Sequence, residues 1–178
     1  TAAILTRKRR TDGFEVEAAG RITDRWEIFS GLALMDATIL DTAINVNAAT
    51  GVLTKGDPRL IGERARNTPV YTFNLWSTYK LTGNWKVGGG VEAKGERYGY
   101  QPQQAVSTAF VNGKFNPNTA PAYSRYDAMV AYEEKRWGVR LNIRNVFDKV
   151  YYDAVYDNGG FTVPGTRRAA ILTGELKF

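Results

Sequence analysis

Trp137-Gly138-Val139-Arg140-Leu141-Asn142-Ile143-Arg144-Asn145-Val146-Phe147 decides the fold class. Its odd positions are apolar apart from Asn145. Its even positions are Gly138, Arg140, Asn142 and Arg144, and then Val146. A period of two sends successive side chains to opposite sides, so this is a β-strand with one greasy face and one wet face. The alternation recurs in both directions from there. Trp85, Val87, Val91 and Ala93 oppose Lys86, Glu92 and Lys94. Tyr126, Ala128, Val130 and Tyr132 alternate with Asp127, Met129, Ala131 and Glu133. Phe14 to Ile22, Tyr71 to Leu81 and Leu172 to Phe178 follow the same rule, and Trp26 to Thr38 follows it less cleanly.

Seven strands are expected, and residues 1–10 are a candidate for an eighth. Each runs about ten residues or more, longer than the ~5–6 of soluble sheets and close to the ~9–11 of a tilted membrane strand. Their connections alternate in length. Thr23-Asp24-Arg25, Thr82-Gly83-Asn84 and Glu134-Lys135-Arg136 are short, whereas 40–68, 99–122 and 149–164 are long. Each short turn is followed at once by a tryptophan: Trp26, Trp85 and Trp137. Indole is at home at a membrane interface, where its ring is apolar and its N–H stays wet, so the three read as an aromatic girdle. A sheet covered on one face in a soluble sandwich would alternate equally well. The long-short rhythm and the matched tryptophans favour an all-β, antiparallel up-and-down meander of about seven or eight long strands in a transmembrane barrel.

Composition narrows the chemistry. The 178 residues contain no cysteine and no histidine. Disulfides, thiolate sites and histidine-based catalysis are therefore excluded within the chain. That argues against a barrel-type protease or phospholipase, whose sites are usually built around histidine. No apolar run approaches the ~18–20 residues of a spanning helix, so any crossing must use strands. No secretion leader is visible, because Arg7-Lys8-Arg9-Arg10 follows the apolar Ala2–Leu5 stretch instead of preceding it. That basic cluster is short for a nucleic-acid site and reads as a solvated strand end, so no nucleic-acid partner is expected. No cofactor is called for. Gly88-Gly89-Gly90 lies inside an alternating strand and suggests a close strand contact instead of a phosphate loop. Asp148, Asp153 and Asp157 lack the spacing of a calcium loop and read as solvated acids, leaving no metal site.

Several stretches resemble the C-terminal barrel of TonB-dependent siderophore receptors: Gly13–Ala18, Leu81–Trp85, Gly88–Val91, Arg125–Met129, Leu141–Asp148, Tyr151–Ala154, Pro164–Arg168 and the terminal Phe178. They occur in order from about residue 12 onward. The resemblance implies a 22-stranded outer-membrane barrel of a Gram-negative cell, closed by an N-terminal plug, that takes up ferric siderophores with energy delivered through TonB. Residues 1–178 would be the C-terminal part of such a barrel, with the plug and the TonB box absent from them. The alternative is a complete eight-stranded barrel of structural or adhesive role, since small barrels close at about eight strands. The resemblance also implies that Leu172, Leu176 and Phe178 form a C-terminal signal for the barrel-assembly machinery.

The candidate ligand contacts are loop residues. Ferric siderophore complexes are often anionic and flat-faced, which suits arginine for charge and tyrosine for stacking. Arg97, Tyr98 and Tyr100 open one loop, Tyr123 and Arg125 close it, and Tyr156 and Arg167 belong to the next. Lys86, Glu92, Lys94, Arg125, Asp127, Arg140, Asn142 and Arg144 are expected to face the aqueous interior. Membrane lipid is expected against the opposite face. A piece with both sheet edges open is expected to rearrange or to associate edge to edge, because unpaired backbone groups demand partners.

Overall fold

The structure is a computed structural model that describes residues 8–42, 44–46, 49–101, 106–156 and 160–178. Seven strands carry the architecture: β1 (Lys8–Thr23), β2 (Trp26–Asp41), β3 (Tyr71–Lys80), β4 (Trp85–Lys94), β5 (Tyr123–Glu133), β6 (Trp137–Arg144) and β7 (Ala169–Leu176). They form one sheet in chain order, and every neighbouring pair is antiparallel. This is the expected meander. Residues 8–10, set aside for an eighth strand, belong to β1, and the remainder of that expectation lies outside the described residues. The sheet stays open, since β1 and β7 form its two ends and do not pair with each other.

The register carries one chemical face across the whole sheet. Trp26 sits opposite Tyr79, Tyr79 opposite Val87, Val87 opposite Val130, Val130 opposite Leu141 and Leu141 opposite Leu172. Residues directly opposite in an antiparallel pair share a face, so this row is apolar across six strands. The other face holds Glu17, Glu27, Asn74, Glu92, Asp127, Arg140 and Thr173 by the same rule. A one-residue slip anywhere would exchange the two faces, so the pattern itself specifies the register.

Among the described residues no layer packs on the apolar face. Phe14, Trp26, Trp85 and Trp137 stand exposed on it, and Leu172 and Leu176 are 72% and 71% exposed. A soluble sandwich would cover this face. From Trp26 to Leu34 the apolar band of β2 spans roughly 26 Å along the strand at ~3.3 Å per residue, about the height of the apolar belt of a membrane barrel. Ser30 and Ser77 are polar on this face and both are satisfied there: the Ser30 hydroxyl donates to the Asn74 carbonyl at 3.0 Å, and the Trp26 indole N–H donates to Ser77 Oγ at 2.8 Å.

The opposite face has an apolar inlay. Trp76 lies over Gly88 and Gly90 of β4. A Cβ added at Gly90 would stand 2.5 Å from Trp76 Cε3, and one at Gly88 would stand 3.1 Å from Trp76 Cζ2. The glycines are there because an indole covers them.

The buried core is at the long-loop end, away from the sheet centre. Ala37 and Ile39 of β2 pack with Leu60, Ala65, Tyr100 and Ala109 from the first two long loops. Phe115 joins them, edge-on to both Tyr98 and Tyr100.

Candidate functional site

The three long connections converge at that end and are stitched together. Asp57, which caps the short helical turn Pro58–Leu60, is the first stitch. It is buried, it accepts from Arg59 Nη2 at 2.6 Å, and it accepts the Ser107 backbone N–H from the second loop at 2.8 Å. Those donors, with Arg59 foremost, hold its carboxyl down to about 2. Arg64 is the second stitch. Its guanidinium donates to the Glu96 carbonyl at 2.6 Å and lies 4.7 Å from the Tyr98 ring centre, while the Tyr100 hydroxyl donates back to the Arg64 carbonyl at 2.7 Å.

The third connection is tied in by Arg97. This guanidinium is 3% exposed and donates to two main-chain carbonyls, those of Tyr152 (2.8 Å) and Asp153. Burial pulls its pKa below the usual value. Arg97 is thus a clamp between loops, with Nη1 and Nη2 on backbone carbonyls and Nε buried without a partner among the described residues.

Below the clamp, on the wet face, sits a polar network. Arg125 donates to Glu92 Oε2 at 2.9 Å, to Asp127 Oδ2 at 3.2 Å and to the Tyr151 hydroxyl at 3.0 Å. The Tyr123 hydroxyl donates to Glu92 Oε1 at 2.8 Å and lies 3.2 Å from Asp153 Oδ1, which Lys94 approaches at 3.6 Å. Tyr123 and Tyr151 pack ring on ring at 4.4 Å. Lys94, Arg97 and Arg125 are balanced here by Glu92, Asp127 and Asp153. The cluster carries no net charge, so it offers no surplus field to an anion.

The candidate residues therefore divide. Arg97, Tyr100 and Tyr123 are buried, and Arg125 is held by two carboxylates. Tyr98 is half-buried against Arg64, and its hydroxyl donates to Glu96 Oε1 at 3.0 Å; burial, then that bond, raises its pKa. Arg167 is exposed, but both ends of its guanidinium are on Asp148. Tyr156 is 52% exposed and stacks on Phe161 at 4.2 Å, presenting a flat aromatic pair to solvent. The residues expected on the interior face share it by register. Trp26, Trp85 and Trp137 share the apolar face and the short-turn end.

The reading of the loop acids as solvated changes, and Asp153 already stands in the network with Tyr123 and Lys94. Asp148 is not a solvated acid: it is paired with Arg167, and it also accepts the Arg168 N–H at 2.8 Å. Asp157 lies outside the described residues. Asn145 is fully buried at φ 52, a left-handed backbone that asparagine tolerates. Its side chain donates to the carbonyls of Lys149 (2.8 Å) and Thr166 (3.0 Å). The Asn145–Asp148 turn and the Thr166–Arg168 exit thus form one lock at the base of the last loop. Sequence reasoning missed Asp57, Arg64 and Trp76. Asp57-Pro58 carried a cap signal, and Trp76 stood on an otherwise polar face beside a glycine triplet.

A family model described as TonB dependent receptor-like, beta-barrel, matches residues 3–146. The probable TonB-dependent receptor BfrD of Bordetella pertussis is 31% identical over 172 residues, which cover 96% of this chain and 21% of that protein. The crystal structure of the siderophore receptor PiuA from Acinetobacter baumannii superposes with a TM-score of 0.73 at 28% identity, over 93% of this chain and 21% of that one. The ferric-catecholate import receptor Fiu of Escherichia coli K12, in its closed form, gives 0.69 at 26% identity, over 97% and 21%. The chain spans about a fifth of the length of the curated relatives it matches. By the family match and by the open, lipid-type sheet, this chain belongs to the TonB-dependent receptor β-barrel family.

Proposed function

We propose that these residues form one stretch of wall, and part of the outer loops, of a receptor that takes up ferric siderophores across the outer membrane of a Gram-negative cell. The observation that carries the reading is the exposed apolar face, continuous over seven strands and backed by a polar face. Lipid on one side and an aqueous lumen on the other account for both. Named relatives are receptors for siderophores, which supports the cargo class. The plug and the TonB-contacting segment of such a receptor would come from sequence outside these residues. The activity is binding and passage, with no bond made or broken by this wall.

Within the wall, roles follow from exposure. Tyr156, stacked with Phe161, is the candidate contact for a flat-faced iron complex. Arg97, Tyr98, Tyr100, Tyr123 and Arg125 hold the loops in place around it, and Arg167 holds the last loop's base. Trp26, Trp85 and Trp137 form the girdle of the leaflet nearest the short turns. Leu172, Leu176 and Phe178 present the end of the chain to the assembly machinery.

The test is uptake of radiolabelled iron by iron-starved cells with and without the gene, across catecholate, hydroxamate and carboxylate siderophores. Loss of uptake for one class, restored by the gene only when TonB is present, is the expected result. Unchanged uptake of every complex would overturn the reading.

A further inference from the structure

At the short-turn end of the apolar face there is a groove of about 370 Å³, lined by Trp85, Val130, Tyr132, Trp137, Val139 and Leu141. Tyr132 sits between the two indoles, its ring 5.0 Å from Trp85 and 5.5 Å from Trp137, centre to centre. Its hydroxyl turns out of the groove and donates to Glu134 Oε1 at 2.7 Å. What remains facing outward is hydrocarbon and ring surface.

The turn beneath the groove, Glu134-Lys135-Arg136, carries two cations to one carboxylate. Glu134 is occupied, accepting from Tyr132 and from Asn84 Nδ2 at 2.6 Å. The neighbouring Glu133 faces Arg140 at 3.8 Å. Lys135 and Arg136 are exposed, and among the described residues neither has an ion-pair partner. Lys177 brings a third basic residue to this end of the sheet, its backbone N–H donating to the Arg136 carbonyl at 2.9 Å. The first short turn, Asp24-Arg25, carries one charge of each sign.

We propose that this corner is a binding site for one anionic phospholipid, with an acyl chain in the Trp85–Trp137 groove and the phosphate on Lys135, Arg136 and Lys177. An acyl chain gains from apolar contact that water denies it. Arginine grips a phosphate through two parallel donors, and each basic residue near a membrane surface favours an anionic headgroup. A zwitterionic lipid brings the same chain but cancels the charge match. The site rests on the membrane-barrel reading and extends it to one lipid class.

The test uses the protein expressed from its complete reading frame and reconstituted in nanodiscs of equal phosphatidylglycerol and phosphatidylethanolamine. Lipid retained on release into detergent is read by native mass spectrometry. Phosphatidylglycerol should be retained about fivefold or more over phosphatidylethanolamine. Lys135→Gln with Arg136→Gln should bring the ratio near one, and Val139→Trp, which fills the groove, should lower retention of both lipids. Equal retention by the unmodified protein would overturn the site, as would a ratio unmoved by the double substitution. Displacement by free glycerol phosphate at matched concentration would do so too, because it would make the site one for soluble phosphate. Recovery in the nanodisc fraction reports insertion separately. A protein that never inserts takes down the barrel reading together with the site, whereas insertion without anionic preference overturns the site alone.

Discussion

Asp148 and Arg167, nineteen residues apart, meet in a two-point ion pair, with Nε on Oδ1 at 2.9 Å and Nη2 on Oδ2 at 2.5 Å. The pair closes the base of the last long loop on the outer side of Asn145. The Arg167 bond, helped by the Arg168 N–H, holds the Asp148 carboxyl well below its ordinary 3.8. A carboxyl depressed in the folded state stabilises above its unfolded pKa and loses that contribution as pH falls through the folded one. The lock is therefore expected to be whole above about pH 4 and to loosen in stronger acid. A spin label at exposed Val150 should gain mobility in that window, and Arg167→Gln should show the mobile spectrum already at neutral pH.

Asp57 is the corresponding point between the first two loops. Its carboxyl, held near 2, collects the Arg59 side chain and the Ser107 N–H. Asp57→Ala leaves the Ser107 amide without its acceptor. Local loop stability should fall by about 1.5–3 kcal/mol, the range for a hydrogen bond to a charged group. Faster amide exchange at Ser107, with the wall strands unchanged, is the expected readout. By the same linkage, that contribution should fade as pH falls from about 4 to about 2, where acid mimics the substitution.

Arg125 and Arg140 make a contrast on one face. Arg125 is mostly buried and serves two carboxylates and a phenol, whereas Arg140 is half exposed and stands 3.8 Å from Glu133. Arg125→Gln should lower stability by about 2–3 kcal/mol, because Glu92 and Asp127 lose their shared counter-charge. Arg140→Gln should stay within about 0.5 kcal/mol. Unfolding midpoints of the two variants, measured in one detergent, decide it.

Gly90 is filled from outside its own residue. An alanine there collides with the Leu75 carbonyl and the Trp76 ring, whereas at Gly20 a Cβ meets nothing within 4 Å. Gly90→Ala should cost about 1–3 kcal/mol, as overpacking does, and Gly20→Ala should be near neutral. Trp76→Ala should not rescue Gly90→Ala, since the carbonyl clash remains. Heat-modifiable migration on gels would rank the four proteins.

The wall was legible in the sequence because its physics is local. Alternation of Val139, Leu141 and Ile143 with Arg140, Asn142 and Arg144 needs no knowledge of partners to assign faces. The tryptophans after each short turn fixed which end was which. The loop site was far less legible. Arg97 has a composition suited to a ligand contact, but whether a guanidinium meets a solute or two carbonyls more than fifty residues away depends on tertiary placement. The same holds for Asp148 and Arg167, each plausible as a free charge until the chain brings them together. Tyr156 differs from Tyr123 only in exposure, which no residue pattern encodes.

The first hairpin is sixteen residues tall on each side, whereas the last two strands have eight apiece. Its upper reach, from Lys8 to Asp12 and from Asp36 to Asp41, carries charges where the lower reach carries oil. One flank of the rim is therefore a parapet that rises past the bilayer, and the loops lean against its inner side through Ala37 and Ile39. Along this stretch of wall the rim is uneven, tallest at its first hairpin, with the last loop standing over the shorter strands.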